Sequence, residues 1–242
     1  MEQVPLTLHV APPLRFFLPS RSRNQDTLRI DHDSGSSLVH IVQSLGIPLT
    51  EVGRLRANGR DVPPTHRPGP GERIDVEPLA LPQQAPTDPP RFLLDVHLGT
   101  LARRLRLLGI DTAYDNDRDD PSLVAQANAE QRVLLTRDRG LLCRRNLVSG
   151  AHVNSTRPDE QLREVLQRFA PGLRPWTRCP ACNGVLVPAP LDEIARSLEP
   201  GTLATQQTFA RCVTCDRVYW PGAHHSHLAR IVHQAEQLLS TR

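Results

Sequence analysis

Lysine is missing altogether from this 242-residue chain, so its 29 basic residues are all arginine. With 26 acidic residues the formal charge is only +3, and 38% of the chain is apolar, which excludes a highly charged disordered tail. No run of about 18 consecutive apolar residues occurs, which excludes a transmembrane helix. Met1 to Val10 lacks the basic segment and long apolar stretch of a secretory signal. A cytoplasmic protein without a membrane partner is therefore expected. Aromatic residues are scarce at 4%, and five cysteines are too few for a disulfide scaffold in a chain of this length. Arginine grips phosphates in a forked, bidentate way, so the basic surface suits nucleic acid better than the net charge suggests.

At roughly 100 to 200 residues per domain, the length allows one large domain or two modest ones. Pro82, Pro86, Pro89 and Pro90 mark a boundary, and residues 82–90 read as a semi-rigid linker. Before it, Leu6, Leu8 and Val10 alternate with polar residues, and Thr27 to Ile30 supplies a second strand. Leu38, Ile41, Val42 and Leu45 lie on one helical face, stopped by Gly46 and Pro48. A short segment at Arg54 to Ala57, a turn at Asn58-Gly59 and a strand at Arg73 to Glu77 complete a sheet with one helix across it, over residues 1–81.

This segment resembles the ubiquitin-like, sulfur-carrier-like β-grasp domain through Ser44-Leu45-Gly46-Ile47-Pro48, Asn58-Gly59-Arg60 and Gly71 to Pro78. Sulfur carriers react through a free Gly-Gly carboxylate, whereas this segment continues into Leu79-Ala80-Leu81. A docking role toward a protein partner is expected instead.

From Arg91 onward, apolar runs alternate with helical patterns. Phe92-Leu93-Leu94-Asp95-Val96 has the continuous apolarity of a strand buried on both faces. Leu98 to Gly109 places Leu98, Leu101, Ala102, Leu105 and Leu108 on one helical face, with Arg103, Arg104 and Arg106 mostly off it. A strand near Asp111 to Tyr114 follows. Asp120 reads as an N-cap with Pro121 at the first helical position. Arg132 to Thr136 is the next strand and Ala151 to Asn154 a fourth. Such alternation implies a parallel, doubly wound α/β sheet.

Sites in open α/β sheets lie at the C-terminal ends of the strands. Asp95 and Asp138 fall near the ends of two strands, and Asp120 can approach the same edge. Acids converging in a partly desolvated cleft need a cation, and Mg2+ or Mn2+ suits carboxylate oxygens. An acid inside Phe92 to Val96 is poorly explained by solvation. Asp138, by contrast, reads equally as a surface residue paired with Arg137 and Arg139, and Asp120 as a cap. Asp111, Asp115, Asp117 and Asp119 read as a solvated loop.

Phe92-Leu93-Leu94-Asp95, the run from Leu98 to Thr112, and Leu134 to Leu141 resemble the PIN-like ribonuclease domain family named after the C-terminal region of the Mut-seven exonuclease. The resemblance extends over roughly residues 91 to 230. It implies a PIN-like fold over 91–174, an acidic metal-binding cluster of Asp95, Asp120 and Asp138, and RNA as substrate. Val96-His97 departs from the family pattern after Asp95, and His97 is expected at a helix start. Arg103, Arg104 and Arg106, with Arg137, are the expected substrate-binding residues, with salt-sensitive phosphate contacts.

Cys179-Pro-Ala-Cys182 and Cys212-Val-Thr-Cys215 have the spacing of two zinc knuckles. Four cysteine ligands close the shell, so this Zn2+ is expected to be structural, in a ribbon over residues 175–235 whose insertion carries a helix at Leu191 to Ser197. Asn183-Gly184 and Tyr219-Trp220-Pro221-Gly222 match the family pattern around the knuckles. His224, His225 and His227 read as a solvated helix start rather than a second metal site, and Cys143 as a small buried hydrophobe. Tyr219 and Trp220 suit either base stacking or packing over the ribbon. The expected function is metal-dependent hydrolysis of RNA; the alternative is a non-catalytic RNA-binding or adaptor protein.

Overall fold

The structure, a computed structural model, describes residues 3–195, 198–223 and 225–241. Its N-terminal part contains β1 (Gln3–Val10), β2 (Thr27–Asp33), α1 (Leu38–Ser44), β3 (Val52–Ala57), β4 (Arg60–Asp61) and β5 (Arg73–Pro78). The sheet order is β2-β1-β5-β3-β4, with β1 and β5 parallel at the centre. Alternate residues Leu6, Leu8 and Val10 face α1, whose Leu38, Ile41 and Val42 close the core. The β3–β4 turn needs positive φ at both central positions, and Asn58 (50°) and Gly59 (79°) supply it.

A second sheet follows, from β6 (Phe92–Leu94), α2 (Gly99–Leu107), β7 (Thr112–Tyr114), α3 (Asp120–Ala129), β8 (Val133–Thr136), α4 (Arg139–Leu142), β9 (Gly150–His152) and α5 (Pro158–Phe169). All its pairings are parallel, in the order β7-β6-β8-β9. Alternation sorts the strands onto two cores. Phe92, Leu94, Val133 and Leu135 pack with α2 and α5, whereas Leu93 and Leu134 pack with α3 and α4. The chain leaves β6 toward one neighbour, β7, and later returns beside it as β8. The carboxyl ends of β6 and β8 therefore flank the point where the strand order reverses.

The cysteine segment forms a three-stranded antiparallel sheet from β10 (Leu186–Pro188), β11 (Ala210–Cys212) and β12 (Val218–Tyr219). The expected insertion helix is present as α6 (Leu191–Ile194), and a second, α7 (Pro200–Thr205), follows; residues 196–197 of the expected helix lie outside the described residues. The last helix, α8 (His225–Ser240), leaves the ribbon and buries Ile231, Val232 and Ala235 in the core shared by α2 and α5. His224 lies outside the described residues. Gly109 makes the junction possible: its φ is 78°, and a Cβ there would lie 1.9 Å from the Arg174 carbonyl oxygen.

The linker does not hang free. The Gln83 N–H donates to the Arg168 carbonyl at 2.7 Å, and the Arg168 guanidinium donates back to the Gln83 side chain. Arg168 also pairs with buried Glu51 at 2.9 Å, while the other Glu51 oxygen accepts the His152 N–H at 2.7 Å. The ubiquitin-like part is thus seated against the carboxyl end of β9.

Candidate active site and cysteine centre

Asp95 directly follows β6 and is 6% exposed. Its Oδ1 accepts the Val96 N–H at 2.6 Å and its Oδ2 accepts the Thr136 hydroxyl at 2.6 Å. No arginine or histidine pairs with it among the described residues, so this nearly buried carboxylate lacks a counter-ion. Thr136 ends β8 and is fully buried. Its Oγ1 also accepts the Asp138 N–H at 2.9 Å, which ties the two acid-bearing strand ends together. Asp138 is exposed and caps α4, its Oδ1 accepting from Gly140 N at 2.6 Å and Leu141 N at 3.4 Å.

Asp120 sits in the first turn of α3, and its Oδ2 is 3.3 Å from Arg144 Nη2. The cap of α3 is Asp119, not Asp120: the Asp119 carboxylate accepts the Ser122 N–H at 3.0 Å. This puts Pro121 one position deeper in the first turn, where its missing N–H is still harmless. Asp95 and Asp138 are therefore joined through Thr136, while Asp120 is engaged by an arginine. Among the described residues, only the four cysteines bring three or more metal-ligating atoms within 4.8 Å of one another. Asp95 and Asp138 thus share one acidic rim at the ends of β6 and β8, and the three aspartates make no such closed set.

The ubiquitin-like part borders this rim. His152 is buried between Phe16 and Phe17, with ring centroids 5.1 and 5.4 Å away, and its Nε2 donates to the Arg137 carbonyl at 3.2 Å. The Arg139 guanidinium lies 5.7 Å from the Phe16 ring centroid and donates to the Phe17 carbonyl at 3.4 Å. Asp138 is thus flanked by Arg137, whose carbonyl is held by His152 of β9, and by Arg139, whose side chain reaches the N-terminal part at Phe16 and Phe17.

At the opposite edge of the sheet, Cys179, Cys182, Cys212 and Cys215 converge. The sulfurs of Cys179 and Cys215 are 3.7 Å apart, and those of Cys182 and Cys212 3.4 Å. Four sulfurs about 2.3 Å from one tetrahedral ion would be about 3.8 Å apart, so the donor set fits zinc. Burial pushes the Cys179 thiol up, but the Tyr219 hydroxyl at 3.0 Å and nearby backbone N–H groups outweigh it and bring it to about 6. Burial and the neighbouring sulfurs push Cys182 up to about 12. Burial and the adjacent Cys179 raise Tyr219 as well.

The Mut7-C RNAse domain description matches residues 90–232, and the Mut7-C ubiquitin description matches residues 3–84. The chain belongs to the Mut7-C RNAse family. No curated protein and no solved structure matches it. The Mut7-C RNAse match runs from β6 into α8, so it takes in both the acidic rim and the cysteine centre.

Within the Mut7-C domain the expected substrate-binding arginines separate. Arg103 and Arg137 are exposed. Arg104 is paired with Asp159 at 2.7 Å. Arg106 is 3% exposed and donates to the carbonyls of Thr112 (2.8 Å), Pro180 (3.1 Å) and Ala181 (2.9 Å), so it fastens the first knuckle to the sheet and is not free for a phosphate. A helical projection puts Arg106 off the apolar stripe, but the ribbon covers that side. Asp111 also departs from expectation. It is no solvated loop residue: it accepts from Arg132 (2.7 Å), Arg178 (3.1 Å) and Asn183 (2.9 Å). Burial pushes its carboxyl up, but these partners outweigh it and hold it below the usual range. His97 is exposed in the turn before α2, as expected of a helix start. Cys143 is half-buried rather than buried, 4.0 Å from the Gly46 carbonyl oxygen. Thr136 is a site residue that sequence reasoning misses, although a hydroxyl two positions before Asp138 at a strand end is a usable signal.

Proposed function

We propose that the chain is a metal-dependent ribonuclease whose acidic rim of Asp95, Asp138 and Asp120 holds Mg2+ or Mn2+. The observation that carries this reading is Asp95: a carboxylate buried beside the strand-order reversal with no counter-ion among the described residues, joined through Thr136 to the strand end bearing Asp138. An unpaired buried charge is costly, and a hard divalent cation is the partner its oxygens suit. Such an ion, which keeps several waters and needs only one or two carboxylates, would neutralise a phosphodiester and raise the acidity of water for in-line displacement.

The chain's own residues have separate tasks in this reading. Thr136 orients the Asp95 carboxylate, and the α4 N-terminus, through Gly140 N and Leu141 N, fixes that of Asp138. Asp120 joins the rim by exchanging Arg144 for the ion, leaving Arg144 free to meet a phosphate. Exposed Arg103 and Arg137 hold the RNA backbone, and Arg104 assists where Asp159 releases it. The four-cysteine centre takes Zn2+ and keeps the ribbon folded.

The open rim and the Asp120–Arg144 pair favour one second reading, a non-catalytic RNA-binding adaptor. Incubating the full chain with single-stranded RNA and Mg2+ or Mn2+ separates the two. Cleavage lost in Asp95→Asn supports the ribonuclease; binding without cleavage under either ion supports the adaptor.

A further inference from the structure

The chain has two tryptophans, Trp176 and Trp220, and both line one cavity of about 540 Å3 between the ribbon and the junction of α2 with α8. The volume falls within the roughly 300 to 1,000 Å3 of small-ligand sites. Each tryptophan is 40% exposed despite its size. Trp176 stacks on His225 with centroids 5.0 Å apart and planes 29° apart, and Trp220 meets Phe209 at 6.4 Å. Tyr219, held by its hydroxyl on Cys179, and Arg178, held by Asp111, complete the aromatic and cationic lining. No carboxylate lines the cavity among the described residues.

We infer that this cleft is a binding subsite for an unstacked nucleobase of a single-stranded RNA. The inference rests on the reading of RNA as the substrate and extends it to a second place on the molecule. Flat aromatic faces accept any base, because every base has a π face. A lining with arginine and histidine but no acid tolerates the phosphates on either side of that base.

The cleft's position gives the subsite a consequence. Leu107, the last residue of α2, lines the cavity, whereas Asp95 lies before the turn that leads into the start of α2. A helix of nine residues is about 13.5 Å long, so cleft and rim are separated by at least that order of distance. A mononucleotide cannot occupy both; a strand of several nucleotides can. Short oligonucleotides should therefore bind more weakly than longer ones of the same composition.

Because both tryptophans are in the cleft, selectively excited tryptophan fluorescence reports on it. The full chain carrying Asp95→Asn, so that the strand stays intact, is titrated with a single-stranded RNA of about 12 nucleotides, within the footprint of single-strand binders. A matched abasic strand is the control. The expected result is quenching by the RNA and little by the abasic strand. Trp220→Ala should weaken binding about tenfold, in the range of one lost base stack, and Trp220→Phe, which keeps a ring, less than about threefold. Zinc content and melting temperature verify that each variant is folded. Equal quenching by both strands, or none while the wild type cleaves the same RNA, would overturn the subsite and leave the ribonuclease reading standing. Base-dependent quenching without cleavage under any divalent ion would uphold the subsite and remove the hydrolytic reading. Emission that follows protein concentration and ignores RNA would assign the cleft to a second copy of the chain and overturn the inference.

Discussion

The Thr136 hydroxyl donates to the Asp95 carboxylate at 2.6 Å while accepting the Asp138 N–H at 2.9 Å. One side chain thus sets the spacing of two strand ends and aims one of the two acids. Replacing Thr136 by valine preserves shape but leaves both partners unpaired, at about 1 to 3 kcal/mol. The expected outcome is a fall in kcat of about tenfold or more with KM little changed. Thr136→Ser should restore most of the rate. Steady-state cleavage kinetics on the three proteins check this.

Glu51 joins the two folded parts from the ubiquitin-like side, meeting Arg168 at 2.9 Å and the His152 N–H at 2.7 Å. Removing one partner of a buried pair typically costs about 3 to 5 kcal/mol. Glu51→Ala is expected to expose residues 82–90 to protease and to split thermal unfolding into two transitions. Calorimetry showing one unchanged transition would rule out this role for the junction.

The Asp111 carboxyl is held below its ordinary value of 3.8 by Arg132, Asn183 and Arg178, against the opposing effect of burial. In the interval between the lowered folded value and 3.8, the unfolded chain binds more protons than the native one. Stability from this group is therefore complete above about pH 3.8 and lost as the pH falls through the folded value. Asp111→Asn should cost about 2 kcal/mol at neutral pH and flatten the acid limb of the stability curve. Denaturant titrations of wild type and variant from neutral pH into the acid limb measure the difference.

Zinc removal has its own signature. The four-cysteine centre predicts one zinc per chain, released by a strong chelator or by Cys212→Ala. Because both tryptophans line the cleft against the ribbon, its loss should shift their emission to the red, while far-ultraviolet circular dichroism retains the signal of the parallel sheet and its helices. Atomic absorption and fluorescence on the same samples provide the check.

Much of this architecture is legible in the sequence, for physical reasons. Alternation at Leu6, Leu8 and Val10, continuous apolarity at Phe92 to Leu94 and the paired cysteine spacings are local patterns, and each reports its local structure. The matches to the two Mut7-C descriptions agree with the resemblance those motifs carry. What depends on distant partners is not legible. Arg106 has the pattern of a solvated helix residue, yet the knuckle carbonyls of Pro180 and Ala181, more than 70 positions away, cover it. Asp111 has the pattern of a loop acid, yet Arg132, Arg178 and Asn183 surround it. The cap of α3 falls to Asp119 because adjacent acids offer nearly equal caps and the sequence signal does not choose between them. Glu51 and His152 face each other across 101 positions, which no local pattern records.

The counter-ion missing from Asp95 is, in this reading, a divalent cation that makes RNA hydrolysis possible. The most direct test compares wild type with Asp95→Asn on one single-stranded RNA, titrating Mg2+ and Mn2+. Metal-dependent cleavage by the wild type is expected, with a loss of roughly a thousandfold or more in the variant and RNA affinity preserved in both. Equal cleavage by the two proteins, or cleavage indifferent to divalent ions, would contradict it.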